Sequence, residues 1–120
     1  MKSGLLYLRH ILDAFAQIGE YLQGKSFSEF QHNRLLQDGV IRQLAIIGEA
    51  ARRLSSVLQQ SYPSVPWSDV IGMRNILIHD YLEVDIREMW KTLYDDLPSF
   101  REQVEQILHD ALKGDAPQCY

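Results

Sequence analysis

Cysteine is almost missing from this sequence: Cys119 is the only one among 120 residues. An intrachain disulfide and a thiolate-rich metal site are both excluded. Long apolar runs are missing as well, so no segment reads as a membrane span. Leu5 to Leu8 could begin a signal sequence, but Arg9, His10 and Asp13 interrupt the run before an apolar region forms. No stretch alternates apolar and polar residues with period two, which removes the signal of a half-buried strand. A phosphate-cradling glycine loop is absent, and no serine or cysteine stands at a recognisable spacing from a base. Basic charge is short, with 12 Lys and Arg against 16 Asp and Glu and a net charge of −4. A protein that grips nucleic acid through a continuous basic face depends on many phosphate contacts, so any such contact here must be local or shared between subunits.

The composition is 46% hydrophobic and 23% charged, as in an ordinary soluble domain. The length suits one domain with its own core. These features predict a cytoplasmic protein with a single helical domain over 1–113 and a frayed tail over 114–120.

Leu5, Leu8, Ile11, Leu12, Phe15, Ile18 and Leu22 recur at three- and four-residue spacing and predict a first amphipathic helix, stopped by Gly24. Ser26 and Glu29 have the spacing of a capping box, opening a short second helix anchored by Phe27, Phe30 and Leu35. A turn or bend is expected around Gln37 to Gly39, with a continuous helix as the alternative. Val40, Leu44, Ile47, Ala51, Leu54 and Leu58 then form one sustained stripe, and Gly48 beside it would admit a close helix neighbour. Pro63 to Pro66 reads as an extended connector. Trp67-Ser68-Asp69 opens a fourth helix, and Asp85 with Glu88 is a second capping-box spacing that starts a last one. Pro98 should kink or divide that last helix. The expected fold class is all-α, an up-and-down bundle of about four long helices plus a short one.

Chemistry concentrates in Met73-Arg74-Asn75-Ile76-Leu77-Ile78-His79-Asp80-Tyr81. An imidazole can exchange protons near neutral pH, a guanidinium can hold phosphate oxygens bidentately, and a phenol can donate to the same phosphate. Arg74 and Tyr81 are seven residues apart and share a helix face, whereas Arg74 and His79 lie about 140° apart around the axis. A straight helix cannot aim all three at one point. The helix ends or distorts near His79, or the arginine and the imidazole that meet come from two copies; the favoured arrangement combines them, the motif closing the fourth helix and a twofold axis bringing two motifs to one cleft. The plainer alternative is that Arg74 and Tyr81 are a packing pair while His79 caps the last carbonyls.

Other constellations are thinner. Glu29-x-x-His32 is half of a di-iron helix motif without the second half, which leaves no metal site to assign. His10 and His109 read as solvated. Glu49, beside the stripe of the third helix, is a candidate for orienting Arg74 across the bundle.

The run Arg74-Asn75-x-x-x-His79-x-Tyr81 resembles the signature of the HEPN superfamily. Its flanks resemble the HepT toxin branch: Ile47-Gly48-Glu49-Ala50-Ala51, Tyr62-Pro63, Pro66-Trp67, Ile71-Gly72-Met73-Arg74-Asn75 and Asp95-Asp96-Leu97-Pro98. The resemblance covers about Val40 to Leu108, and the first helix matches only in character. It implies a homodimeric endoribonuclease that needs no metal or other cofactor, partnered by a small nucleotidyltransferase antitoxin that adenylylates Tyr81. By position it makes Arg74 and His79 the catalytic pair, Asn75 their polar neighbour, and Tyr81 both an active-site residue and the modification target. The chemistry it implies is 2′-hydroxyl attack on the adjacent phosphorus, leaving a 2′,3′-cyclic phosphate. A function of another class would also use these residues: a catalytically silent helical dimer whose motif face docks a partner, with Arg74 and Tyr81 as anchors.

Overall fold

The computed structural model describes residues 2–80 and 85–114, with side chains for 4–73 and 85–114. The elements are α1 (Lys2–Leu22), α2 (Phe27–Gln31), α3 (Arg34–Arg53), α4 (Ser56–Ser61), α5 (Trp67–Asp80), α6 (Ile86–Lys91), a π-helical turn (Thr92–Asp96) and α7 (Leu97–Lys113). There is no strand among the described residues, so the all-α bundle stands. No helix of the described residues is long and apolar enough to cross a membrane. The tail beyond Gly114, with Cys119, lies outside the described residues.

Helix α3 lies between α1 and α5, and α7 closes on α1. The α1–α3 pair is antiparallel: the Tyr21 ring faces Gly39 at one end, and Tyr7 meets Arg53 at the other. The predicted stripes are the core. Leu8, Ile11, Phe15, Ile18 and Leu22 of α1 are buried, and so are Val40, Leu44, Ile47 and Ala51 of α3. Leu97, Phe100, Val104 and Ile107 of α7 complete it. Burial of such side chains contributes about 1.5–3 kcal/mol each, which outweighs helix propensity in deciding where these segments sit.

Three local expectations are revised. No turn occurs at Gln37 to Gly39. Asn33 caps α3 by accepting from the Leu36 amide at 2.9 Å, so the helix is under way three residues before Gln37 is passed. Gly39 serves packing instead, because a Cβ there would stand 3.3 Å from the Tyr21 ring. Leu35 belongs to α3 and is 83% exposed; Phe30 alone anchors α2 by full burial, with Phe27 and Phe30 both packing on Trp90. The helix carrying Val40 to Leu58 is interrupted at Leu54, whose backbone is extended, and restarts when the Ser55 hydroxyl accepts from the Leu58 amide. A serine that can cap competes with helix continuation, while Leu54 and Leu58 remain in the core.

Other expectations hold. Ser26 and Glu29 form a reciprocal capping box, and Gly24 ends the α1 turn at φ +72°. Asp85 caps α6 through the amides of Arg87 and Glu88. Pro98 falls in the first turn of α7 and the π-helical turn stands directly before it. A proline cannot donate into the preceding turn, and the wider turn is how the helix absorbs it.

Candidate active site

The start of α5 is fixed from several sides. Trp67 is buried, and its indole Nε1 donates to the carbonyls of Gln59 and Tyr62, each at 3.1 Å. Its ring meets Phe100 edge-on at 6.0 Å. Tyr62 donates to Asp110 Oδ2, and Gln103 Nε2 donates to the Ser64 carbonyl, so both halves of the connector are tied to α7. From this anchor α5 runs as α-helix to Asp80, carrying Arg74, Asn75 and His79 on its backbone.

The helix is α-helical throughout its described length, from Trp67 to Asp80. Arg74 and His79 therefore stand about 140° apart around one regular helical axis. The side chains of Arg74, Asn75 and His79 lie outside the described residues, as does Tyr81 altogether. The backbone of Arg74, Asn75 and His79 lies on this well-anchored helix.

Glu49 is held on its own helix. Its carboxylate accepts from Arg52 Nη2 at 2.7 Å and Nε at 3.2 Å, and from Arg53 Nε at 2.9 Å. The carboxylate raises the pKa of Arg52 above its ordinary value. For Arg53 the hydrogen bond with the Tyr7 hydroxyl comes first and the Glu49 carboxylate second, both raising it. The pairing of Glu49 with Arg74 involves a side chain outside the described residues.

The remaining sequence candidates have local roles. Glu29 is engaged in the capping box, and His32 Nδ1 lies 2.8 Å from the Ser28 carbonyl. Neither points to a metal centre, and no group of three or more metal-binding side chains occurs among the described residues. His10 and His109 are both exposed.

Two depressions were not visible in the sequence. The larger, about 900 Å³, runs beside the first half of α5. Leu44, Val70, Met73, Met89, Leu97 and Phe100 form its apolar floor, and Asp69, Asp85, Glu88, Asp95 and Asp96 stand around it. Five carboxylates make it hostile to a phosphate backbone. The smaller, about 370 Å³, lies between α1 and α3 and is lined by Tyr7, His10, Arg42, Ala45, Ile46, Glu49, Ala50 and Arg53. The spacing of Arg42, Glu49 and Arg53 marks one α3 face, but only the antiparallel register of α1 adds Tyr7 and His10.

Comparison with known proteins gives the site its context. The family model described as ribonuclease HepT-like matches residues 11–107, reaching into α1. A protein of Methanocaldococcus jannaschii, named provisionally as an RNase, is 36% identical over 84% of this chain and 93% of its own. One from Caldanaerobacter subterraneus subsp. tengcongensis, with the same kind of name, is 37% identical over 90% of this chain and 96% of its own. A protein of Thermococcus cleftensis named as a probable ribonuclease HepT is 37% identical over 84% of this chain and 92% of its own. No solved structure matches the chain. With a family match that spans most of the bundle, including the whole of α5, the chain belongs to the HepT-like ribonuclease family of the HEPN superfamily.

Proposed function

We propose that this protein is a toxin-type endoribonuclease that works without a metal, with Arg74 and His79 as its catalytic pair. The observation that carries the reading is the position of Arg74-Asn75-x-x-x-His79 on α5, inside the segment matched by the HepT-like ribonuclease family. His79 takes the proton from a 2′-hydroxyl or returns one to the leaving 5′-oxygen. The 2′-oxygen attacks the adjacent phosphorus, the bond from phosphorus to the 5′-oxygen breaks, and a 2′,3′-cyclic phosphate and a 5′-hydroxyl result. Arg74 stabilises the charge that builds on the phosphoryl oxygens. Asn75 supplies a polar neighbour, Tyr81 a hydrogen bond to phosphate, and Glu49 orients Arg74.

The 140° separation on one regular helix supports a site shared across a homodimer, the arginine of one copy meeting the histidine of the other. A small nucleotidyltransferase antitoxin neutralises the enzyme by adenylylating Tyr81. The added phosphate then occupies the place of the substrate phosphate and repels it.

Two measurements test this. Purified protein should degrade RNA in the presence of a chelator, and Arg74→Ala should abolish the activity; motif variants that lose only partner binding would instead mark the protein as a silent docking module. Intact mass of the chain produced with and without the partner enzyme should differ by whole AMP increments, removed by Tyr81→Phe.

A further inference from the structure

We infer that the groove between α1 and α3 holds the RNA strand outside the catalytic motif, with Arg42 and Arg53 on two non-adjacent phosphates of the strand and Tyr7 beside an unstacked base. This rests on the ribonuclease reading above and adds a substrate surface to it. Arg42 and Arg53 are eleven residues apart on α3, so they share a face and stand about 16 Å apart along the axis. That is too far for both to hold one phosphate, and it suits two phosphates of one strand.

The floor between them is Ala45, Ile46 and Ala50, small and apolar, and the wall is Tyr7 with His10. The Tyr7 and His10 rings meet at 6.3 Å and 72°, and the Arg53 guanidinium lies 6.0 Å from the Tyr7 centroid. Aromatic and guanidinium planes of this kind receive the splayed bases of single-stranded RNA, whereas a duplex keeps its bases stacked and out of reach. Among the described residues Arg42 has no carboxylate or carbonyl partner, so its charge is available to a ligand. Arg53 shares Glu49 with Arg52, leaving two arginines on one carboxylate.

The larger cleft makes the opposite case. Its Asp69, Asp85, Glu88, Asp95 and Asp96 would repel the same strand. In a chain of net charge −4 the groove sets two arginines, Arg42 and Arg53, against one carboxylate, Glu49, whereas the larger cleft gathers five carboxylates.

The test uses a fluorescein-labelled single-stranded 2′-O-methyl oligoribonucleotide, which lacks the attacking hydroxyl, and reads anisotropy as a function of salt. Arg42→Ala leaves no protein group unpaired, so its fold should be intact by circular dichroism. It should weaken binding several-fold and reduce the salt slope by about 0.7, the value for one lost phosphate contact on a single strand. Arg42→Lys should restore the slope. On the matching cleavable RNA the Arg42→Ala change should appear in KM, with kcat retained. Unchanged binding, slope and KM in an enzyme that still cleaves would overturn the groove and leave the ribonuclease standing. Wild-type protein that neither binds nor cleaves would overturn both. Displacement of the oligonucleotide by AMP alone at equal affinity would make this a mononucleotide site and overturn the strand reading. Loss of a dimer in Arg42→Ala, with RNA binding unchanged, would make it a protein interface and overturn it equally.

Discussion

The hydroxyl of Tyr62 donates to Asp110 Oδ2 at 2.9 Å across 48 residues of sequence, and this bond helps join the connector before α5 to α7. Asp110 Oδ1 accepts from Gln106 Nε2 on the same helix, so the carboxylate is already oriented when the phenol reaches it. Tyr62→Phe keeps the ring and removes the donor. A hydrogen bond to a charged group contributes about 1.5–3 kcal/mol, and partial exposure puts the expected loss at the lower end. Urea denaturation should show a lower midpoint with an unchanged slope.

Phe30 is fully buried, and its ring lies 5.2 Å from Trp90. Phe30→Ala should cost about 3–5 kcal/mol through lost transfer energy and the cavity left behind. That is a large part of the stability of a domain this size, so the variant should melt far below the parent, and Phe30→Leu should recover most of the difference.

Two glycines should respond differently to alanine. Among the described residues a Cβ at Gly72 meets nothing within 4 Å, whereas one at Gly39 comes to 3.3 Å from Tyr21 Cε2. Alanine gains about 1 kcal/mol over glycine inside a helix, and at Gly72 no described neighbour offsets it, so the melting temperature should rise. At Gly39 the Tyr21 ring must yield, and the gain should shrink or reverse. Thermal melts of the two variants side by side give the comparison.

Loss of the imidazole in His79→Ala should reduce RNA cleavage by roughly 10²- to 10⁴-fold, the range for a general acid or base. The thermal melt, taken in parallel, should show a folded protein. Cleavage at the parental rate by that folded variant would remove His79 from the mechanism.

How far the sequence could be read depended on whether a feature was local. The stripe from Val40 to Leu58 is buried as its periodicity predicts, yet its helix is broken at Leu54, because a serine able to cap and a serine within a helix look alike in sequence. Gly39 suggested a turn and turned out to accommodate the Tyr21 ring, a contact that exists only once α1 and α3 are paired. The same pairing creates the groove of Tyr7, His10, Arg42 and Arg53. Arg74, Asn75 and His79 were legible as a motif because they lie within six residues, and α5 carries them as one helix.

The π-helical turn at Thr92–Asp96 makes chain length there a variable of its own. A π turn wraps one more residue than an α turn, and it lets Asp95, Asp96 and Leu97, three consecutive residues, all line the larger cleft. An α-helix would spread three neighbours over about 200°. Removing one residue from this turn would restore a plain α-helix and leave the stretches before and after it in phase, whereas the same deletion within α7 would slide Phe100, Val104 and Ile107 out of the core. Within this last helical stretch, then, the turn is where the backbone holds a spare residue, and shortening the chain there would reshape the acidic rim before it damaged the bundle.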